Sequence, residues 1–151
     1  MRLHGDREPR QPQVGTTGGA CCCSGGPNEV WSYGEEVYEI CKKYMELREQ
    51  LRDYTRALMA EAHEKGTPVM RPLFYEFPED AVCWQVEDQY CYGSRYLVAP
   101  ILEAGQTTRR VYLPAGAAWA AMEGGPVLEG GQWVEVPCPL DTMPVFVRAE
   151  R

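Results

Sequence analysis

The sequence predicts an α+β protein in which one long helix is followed by an antiparallel β-sandwich. Between residues 34 and 65, apolar side chains recur in steps of three and four, which is the period of a helix with one buried face. Residues 67–151 contain nine prolines that separate short β-type runs. The whole chain has 151 residues, enough for one domain but too few for a complete (β/α)8 barrel of about 250 residues.

The first 33 residues are predicted to form a loop. They contain several glycines and prolines and show no apolar periodicity. Loops of this length are usually functional or disordered. Trp31 is the aromatic residue that closes the segment.

The predicted helix spans residues 34–65 and has a defined start and end. Ser32 and Glu35 have the spacing of a capping box, and Lys65 with Gly66 provides a C-terminal charge and a C′ glycine. Because only one face is apolar, the helix must pack against something large. The residues of that face are Val37, Ile40, Cys41, Tyr44, Leu47, Leu51, Tyr54, Leu58 and Ala62.

The β-type runs are residues 69–77, 90–101, 109–113, 132–136 and 145–147, with a spacing typical of an antiparallel sandwich. The pairs Gly124-Gly125 and Gly130-Gly131 are predicted to form hairpin turns. We expect Arg71 to tie the sandwich to its surroundings through its guanidinium fork. Four aromatic residues are expected at strand positions, where a core role is favoured over a carbohydrate platform: Trp84, Tyr90, Tyr92 and Tyr96.

Composition excludes several classes of function. The net charge is −7 and only three residues are lysine, which argues against a nucleic-acid partner. No run of 18 apolar residues exists, so we expect no membrane span, and the first residues lack the apolar core of a signal peptide. Seven cysteines without an export signal predict free thiols and a cytoplasmic location. We expect no metal and no cofactor, because Cys21, Cys22, Cys23, His4 and His63 lack the spacing of a zinc site.

Several segments, in order, resemble glycoside hydrolase family 31, the α-glucosidases and α-xylosidases. The stretch GTPVMRPLFYEFPED at residues 66–80 is similar to the signature that follows the last barrel helix of that family. MRLHGD at residues 1–6 and residues 29–54 resemble the eighth βα unit. Three later segments resemble the proximal C-terminal β-sandwich: EDQYCYGSRYLVAPILEAG at 87–105, RRVYLPAGAAW at 109–119 and MPVFVR at 143–148. Asp53 stands near the middle of the helix, where the family often has proline, so the resemblance implies a weaker kink here.

The resemblance implies that the chain is the C-terminal part of a retaining α-glycosidase, which hydrolyses terminal α-linked xylose or glucose in the intact enzyme. Residues 1–66 would be the final βα segment of a (β/α)8 barrel, with a loop at 1–33 and a helix at 34–65. Residues 67–151 would be the proximal C-terminal β-sandwich. The family's two catalytic aspartates come from earlier barrel strands and neither motif is present, so we expect no catalytic residue here and no activity from this chain alone.

The resemblance also implies contacts with substrate. His4 in RLHG matches a histidine at the end of the last barrel strand that hydrogen-bonds the sugar, and Arg2 would orient that loop or the site. Trp31 is either a stacking wall for a sugar or a hydrophobic staple on the helix, and the staple is the simpler interpretation.

The expected partners are an α-glycoside or oligosaccharide in the intact enzyme, the missing barrel portion, or a second copy of the chain. Neither a nucleic acid nor a membrane is expected. The competing interpretation is a non-catalytic β-sandwich module that binds carbohydrate or docks on a partner subunit.

Overall fold

The computed structural model describes residues 30–149. The chain divides into two compact units, Met1–Tyr54 and Thr55–Arg151. The described part combines helices with antiparallel sheets, as expected for an α+β protein. Arg2 and His4 lie outside the described residues. Between residues 30 and 149, no helix is both long and apolar enough to cross a bilayer.

The first unit contains a 3₁₀ turn, Val30–Tyr33, and helix α1, Glu35–Gln50. Gly34 is the N-cap, with φ 90° and ψ 163°, a conformation that glycine adopts at low cost. The predicted capping box is wrong, because it needs Ser32 as the N-cap and the helix begins after Gly34. The apolar stripe is present, but no residue of α1 is buried.

The long helix predicted for residues 34–65 is interrupted once. Helix α1 ends with Leu51 as its C-cap, at φ −85° and ψ 2°, and helix α2 runs over Arg52–Lys65. Because Leu51 keeps the apolar spacing, periodicity alone does not reveal the break. An ion pair between Arg52 and Glu49 spans it. The end of α2 is as predicted, since Gly66 follows Lys65 with φ 70° and its N–H donates to the Ala62 carbonyl.

As far as residue 149, the second unit contains eight strands in two sheets. Every described strand pair is antiparallel, which confirms the predicted class of sheet. One sheet has six strands in the order β1-β2-β3-β8-β5-β6, and the other pairs β4 with β7. The strands are β1 Met70–Pro72, β2 Tyr90–Tyr92, β3 Tyr96–Val98, β4 Thr108–Leu113, β5 Ala118–Ala121, β6 Val127–Glu129, β7 Gln132–Pro137 and β8 Val145–Ala149.

Two predicted runs have a different structure. The run at 69–77 is a strand only as far as Pro72, and helix α3, Leu73–Glu76, follows at once. Residues 90–101 contain a hairpin of two strands, β2 and β3, in place of one strand. Strands β5 and β6 were absent from the prediction.

Of the two predicted glycine hairpins, one is confirmed. Gly124 and Gly125, with φ 101° and 135°, lie in the β5–β6 hairpin. Gly130 and Gly131 do not form a hairpin, because β6 pairs with β5 whereas β7 pairs with β4. The short link at Gly130-Gly131 therefore carries the chain from one sheet to the other.

The core of the second unit is apolar and includes Trp119, which is 1% exposed. Tyr90, Tyr92 and Tyr96 do not belong to the core, contrary to the prediction. They are half-buried, whereas Cys91 and Leu97 between them are buried, because side chains alternate across a sheet. Trp84 is not a core residue: it ends the 3₁₀ turn Ala81–Trp84 and is 59% exposed. The core cluster is Leu73, Phe77, Cys83, Cys91, Leu97, Ala99, Val111, Tyr112, Leu113, Ala117, Trp119 and Phe146.

Candidate functional site

Of the three residues predicted to contact substrate, only Trp31 lies in the described range. It belongs to the 3₁₀ turn ahead of α1 and is 71% exposed. A hydrophobic staple would bury the ring against the first turns of the helix, so the staple interpretation is wrong. The sugar-stacking role of Trp31, like the roles of Arg2 and His4, stays a prediction.

Arg71 in β1 is the centre of a buried ion-pair cluster. Its side chain is bound from three directions: Nε donates to the Pro68 carbonyl at 2.7 Å, Nη1 pairs with Glu76 of α3, and Nη2 lies 3.5 Å from Oε1 of Glu61 in α2. Burial opposes the charge, but the hydrogen bond and charge of Glu76, followed by the charge of Glu61, outweigh it, so the pKa of Arg71 is raised. The guanidinium therefore ties α2 and α3 to the first strand of the larger sheet.

Asp80 is a second node, at the start of the 3₁₀ turn Ala81–Trp84. One carboxylate oxygen accepts from the Val82 N–H at 3.0 Å. The other accepts from the Tyr112 hydroxyl and from the Ala115 N–H, both at 2.8 Å. Burial alone would raise the pKa of Asp80, but these donors outweigh it and lower the pKa. The carboxylate is thus committed to holding the turn against β4 and the loop that follows β4.

Gln89 closes the free edge of the smaller sheet. Its Nε2 donates to the Tyr112 carbonyl at 2.9 Å, and its Oε1 accepts from the Tyr112 N–H at 2.8 Å. Along an antiparallel strand, main-chain groups point alternately to either side, so β7 does not satisfy these two groups of Tyr112. One buried side-chain amide takes the place of a neighbouring strand.

Arg109 fixes the loop before β2. It is 8% exposed, and its Nη2 lies 2.9 Å from the Asp88 carbonyl and 2.6 Å from Oδ2 of the same residue. Asp80, Asp88 and Glu76 are therefore all bound to donors within the fold, which is a structural use of carboxylates.

The described cysteines form no disulfide. Burial, followed by the charge of Asp80, raises the pKa of Cys83 to about 12. Burial also raises the pKa of Cys91 to about 12. Thiols with such values are poor nucleophiles at neutral pH. Within residues 30–149, no group of three or more histidine, cysteine or acidic side chains is arranged to hold a metal ion.

Two exposed aromatic clusters were not predicted. Phe74 and Trp84 stack with ring centroids 4.7 Å apart and an angle of 14° between the planes. On the smaller sheet, the Arg110 guanidinium lies 4.3 Å from the centroid of the Trp133 ring. Phe74 and Trp84 are ten residues apart in two separate turns, so no periodic pattern couples them. In the sequence, the only indication that Trp84 is exposed was its place in a turn-like segment that contains proline and aspartate.

The second unit is similar to a domain of a known protein family. Residues 66–151 match the model of the "Glycosyl hydrolase family 31 C-terminal domain". The chain is 42% identical over 120 residues to alpha-glucosidase 2 of Bacillus thermoamyloliquefaciens, covering 80% of this chain and 15% of that protein. It is 34% identical over 123 residues to an alpha-xylosidase of Saccharolobus solfataricus, covering 82% of this chain and 17% of that protein.

Among solved structures, the chain is similar to the GH31 alpha-xylosidase from a soil metagenome in complex with xylose. The TM-score is 0.83 and the identity 50%, over 94% of this chain and 21% of that one. The chain therefore spans about a fifth or less of the length of each of these proteins.

Proposed function

The chain belongs to glycosyl hydrolase family 31, and we propose that its 151 residues form the C-terminal part of a retaining α-glycosidase that removes terminal α-linked xylose or glucose. The observation that carries this proposal is the similarity over 94% of the chain to an alpha-xylosidase of which it covers only 21%. The identity to an alpha-glucosidase and to an alpha-xylosidase keeps both sugars in the proposal.

Within that enzyme, residues 1–66 are the final βα segment of the catalytic barrel and residues 67–151 the proximal C-terminal β-sandwich. Two observations support this division. The family match begins at residue 66, directly after α2 ends at Lys65. The half-buried apolar stripe of α1 has the character of a barrel helix whose partner is a larger structure.

The family's chemistry indicates which roles belong to this chain and which belong to the rest of the enzyme. Retention requires two carboxyl groups about 5–5.5 Å apart, one acting as nucleophile and the other as acid and then base. We propose that both belong to polypeptide outside these 151 residues. His4 would donate or accept a hydrogen bond at the sugar, Arg2 would orient its loop, and Trp31 would form an aromatic wall beside the sugar.

Arg71 and Asp80 are assigned a positioning role. Arg71 connects α2 to the first strand and to α3, and Asp80 holds the neighbouring turn on β4. Both would keep the last barrel helix in place on the sandwich and so keep the loop before that helix in place near the substrate. We also propose a cytoplasmic location, which the unpaired state of Cys41, Cys83, Cys91 and Cys138 supports.

The test is to incubate the purified chain with an aryl α-xyloside and an aryl α-glucoside. We expect release of the aryl group at the rate of buffer alone, with an active family 31 alpha-xylosidase as the positive control under the same conditions. Turnover above the buffer rate would overturn the proposal, since it would mean that the chain contains its own catalytic carboxylates. A non-catalytic module would also show no turnover, so restored hydrolysis on mixing with the separately expressed barrel distinguishes the two.

A further inference from the structure

A pair of stacked aromatic rings lies on the surface of the second unit. Phe74 comes from α3 and Trp84 from the 3₁₀ turn that follows, and their planes differ by 14° at a centroid distance of 4.7 Å. The Trp84 Nε1–H donates to the Pro78 carbonyl at 3.0 Å. A ring held through both a face and its polar edge has lost its rotamer freedom before any ligand arrives.

Trp84 keeps 59% of its surface exposed despite these two contacts. One face lies on Phe74 and the indole N–H is engaged, so the exposed surface is mainly the opposite face and the outer edge. Phe74 and Tyr75 beside it are 38% and 47% exposed. The result is an open indole face that is supported from behind by the Phe74 ring.

The other tryptophans of the second unit do not present such a face. Trp119 is in the core and 1% exposed. Trp133 is 41% exposed, but the Arg110 guanidinium lies 4.3 Å from its ring centroid and Tyr112 packs at 5.1 Å. In the second unit, Trp84 is therefore the indole that combines a fixed orientation with an open face.

Two exposed polar residues are sequence neighbours of the groups that form the platform. Glu79 follows the residue whose carbonyl takes the indole N–H, and Gln85 follows Trp84; both are exposed. Carboxylates and amides hydrogen-bond sugar hydroxyls, whereas the axial C–H groups of a pyranose carry partial positive charge and pack on the negative face of an aromatic ring. The acidic flank and the net charge of −7 disfavour an anionic ligand.

We propose that Phe74 and Trp84 form a binding platform for one pyranose ring of a neutral α-linked oligosaccharide. The identity of the ligand rests on the proposed function, since it takes the ligand to be the class of substrate of this family. The platform would hold a saccharide chain on the β-sandwich through ring stacking, with Glu79 and Gln85 as hydroxyl partners.

The experiment follows the tryptophan indole N–H signals of the ¹⁵N-labelled 151-residue chain by NMR during titration with isomaltotriose. We expect the Trp84 signal to shift saturably with a dissociation constant of about 1 mM, and the Trp119 and Trp133 signals to stay in place. The Trp84 signal is assigned by its loss in Trp84→Tyr, a variant that retains an aromatic platform. No shift of the Trp84 signal at saturating sugar would overturn the proposal.

Two further variants separate the platform from other binding. In Trp84→Ala, binding followed by isothermal titration should fall at least tenfold, whereas Trp84→Tyr should stay within twofold of the unmodified chain. So should the control Leu140→Ala, which truncates an apolar side chain that is 74% exposed. Retained binding in Trp84→Ala, or loss in Leu140→Ala, would contradict the assignment. These outcomes are independent of the activity test: an inactive chain that binds no sugar refutes the platform alone, and an active chain refutes the proposed function alone.

Discussion

At the scale of single residues, Asp80 shows how one carboxylate can set the acid stability of the second unit. Its two oxygens accept from two main-chain N–H groups and from the Tyr112 hydroxyl. The pKa of Asp80 is lowered from 3.8, so the folded state favours the ionised form more strongly than the unfolded chain does. The stabilisation is complete above pH about 5 and is lost as the pH falls through 3.8 and below.

We therefore predict that the free energy of unfolding depends less on pH in the acid range in Asp80→Asn than in the unmodified chain. At pH 7 the variant should lose about 1.5–3 kcal/mol of unfolding free energy, because the amide keeps one uncharged acceptor oxygen and replaces the other with an NH2 group, which cannot accept. Below pH 3.8 the difference between the two proteins should shrink. Urea denaturation at a series of pH values measures this, and a difference that is constant from pH 7 to pH 3 would contradict the role of the ionised carboxylate.

Arg71 provides a second prediction at this scale. It is 5% exposed and pairs with Glu76 and Glu61, so Arg71→Ala leaves two partly buried carboxylates without their donor. We expect a loss of about 3 kcal/mol, the low end of the range for breaking a buried ion pair. The matched control is Arg48→Ala in α1, whose side chain is 64% exposed and whose pairing with Glu49 is a surface contact. The control should change stability by at most about 0.5 kcal/mol, and equal losses in the two variants would refute the role of Arg71.

At the scale of secondary-structure elements, the β6–β7 link determines how the chain passes between sheets. The Gly130 N–H donates to the Ala117 carbonyl, and the Gly131 N–H donates to the Leu113 carbonyl. A Cβ at Gly130 would lie 1.9 Å from the Pro114 carbonyl oxygen and 2.6 Å from that of Ala117. These are main-chain atoms, which cannot rotate away, so the close approach requires glycine.

Gly130→Ala is accordingly predicted to destabilise the second unit by about 4 kcal/mol or more. Gly105→Ala is the control, because its φ is +78° and nothing lies within 4 Å of the added Cβ. That variant bears only the strain of a left-handed backbone, about 1–2 kcal/mol. Denaturant midpoints of the two variants measure the difference, and a Gly130→Ala cost no larger than that of Gly105→Ala would disprove the steric argument.

The elements that the sequence predicted correctly have a strong periodic or capping signal. The long helical region has nine apolar positions in register, and Gly66 marks its end. Strand β5, Ala118–Ala121, escaped prediction because three of its four residues are alanine, which is depleted in strands. Helix α3 escaped because four residues after Pro72 are too few to show a helical period. In both cases tertiary packing decides the structure.

The candidate site was less predictable than the fold. The resemblance to a family suggested Arg2 and His4 through motifs, but an exposed platform arises only when two turns ten residues apart bring Phe74 against Trp84. Aromatic residues between β-type runs are usually packed in the protein core. The prediction that Trp84 is a core residue followed this general tendency and was wrong. Contacts between residues on separate turns require the three-dimensional structure.

At the scale of the whole molecule, the half-buried face of α1 predicts self-association. No residue of α1 is buried, although its stripe includes Val37, Ile40 and Leu47. A half-buried apolar stripe promotes contact with a second copy when the proposed barrel is absent. We expect the mass from light scattering to rise above 17.1 kDa with increasing concentration.

The double variant Ile40→Lys with Leu47→Lys should restore a monomer, because it places charge on the stripe. Val127→Lys, on a strand residue that is already 60% exposed, is the control and should leave association unchanged. A monomer at all concentrations for the unmodified chain would contradict this prediction.

The side chain of Gln89 has a consequence for comparing this chain with its relatives. Its amide must donate with one end and accept with the other to match both main-chain groups of Tyr112. Glutamate has the same shape, but it would present a second acceptor to the Tyr112 carbonyl, and asparagine is one methylene shorter. We therefore expect a substitution at this position to disturb the integrity of a sheet edge. If Gln89 were invariant among relatives, its place between an aspartate and a tyrosine could be mistaken for a catalytic motif. Its role in this fold is to complete the hydrogen bonding of a sheet edge.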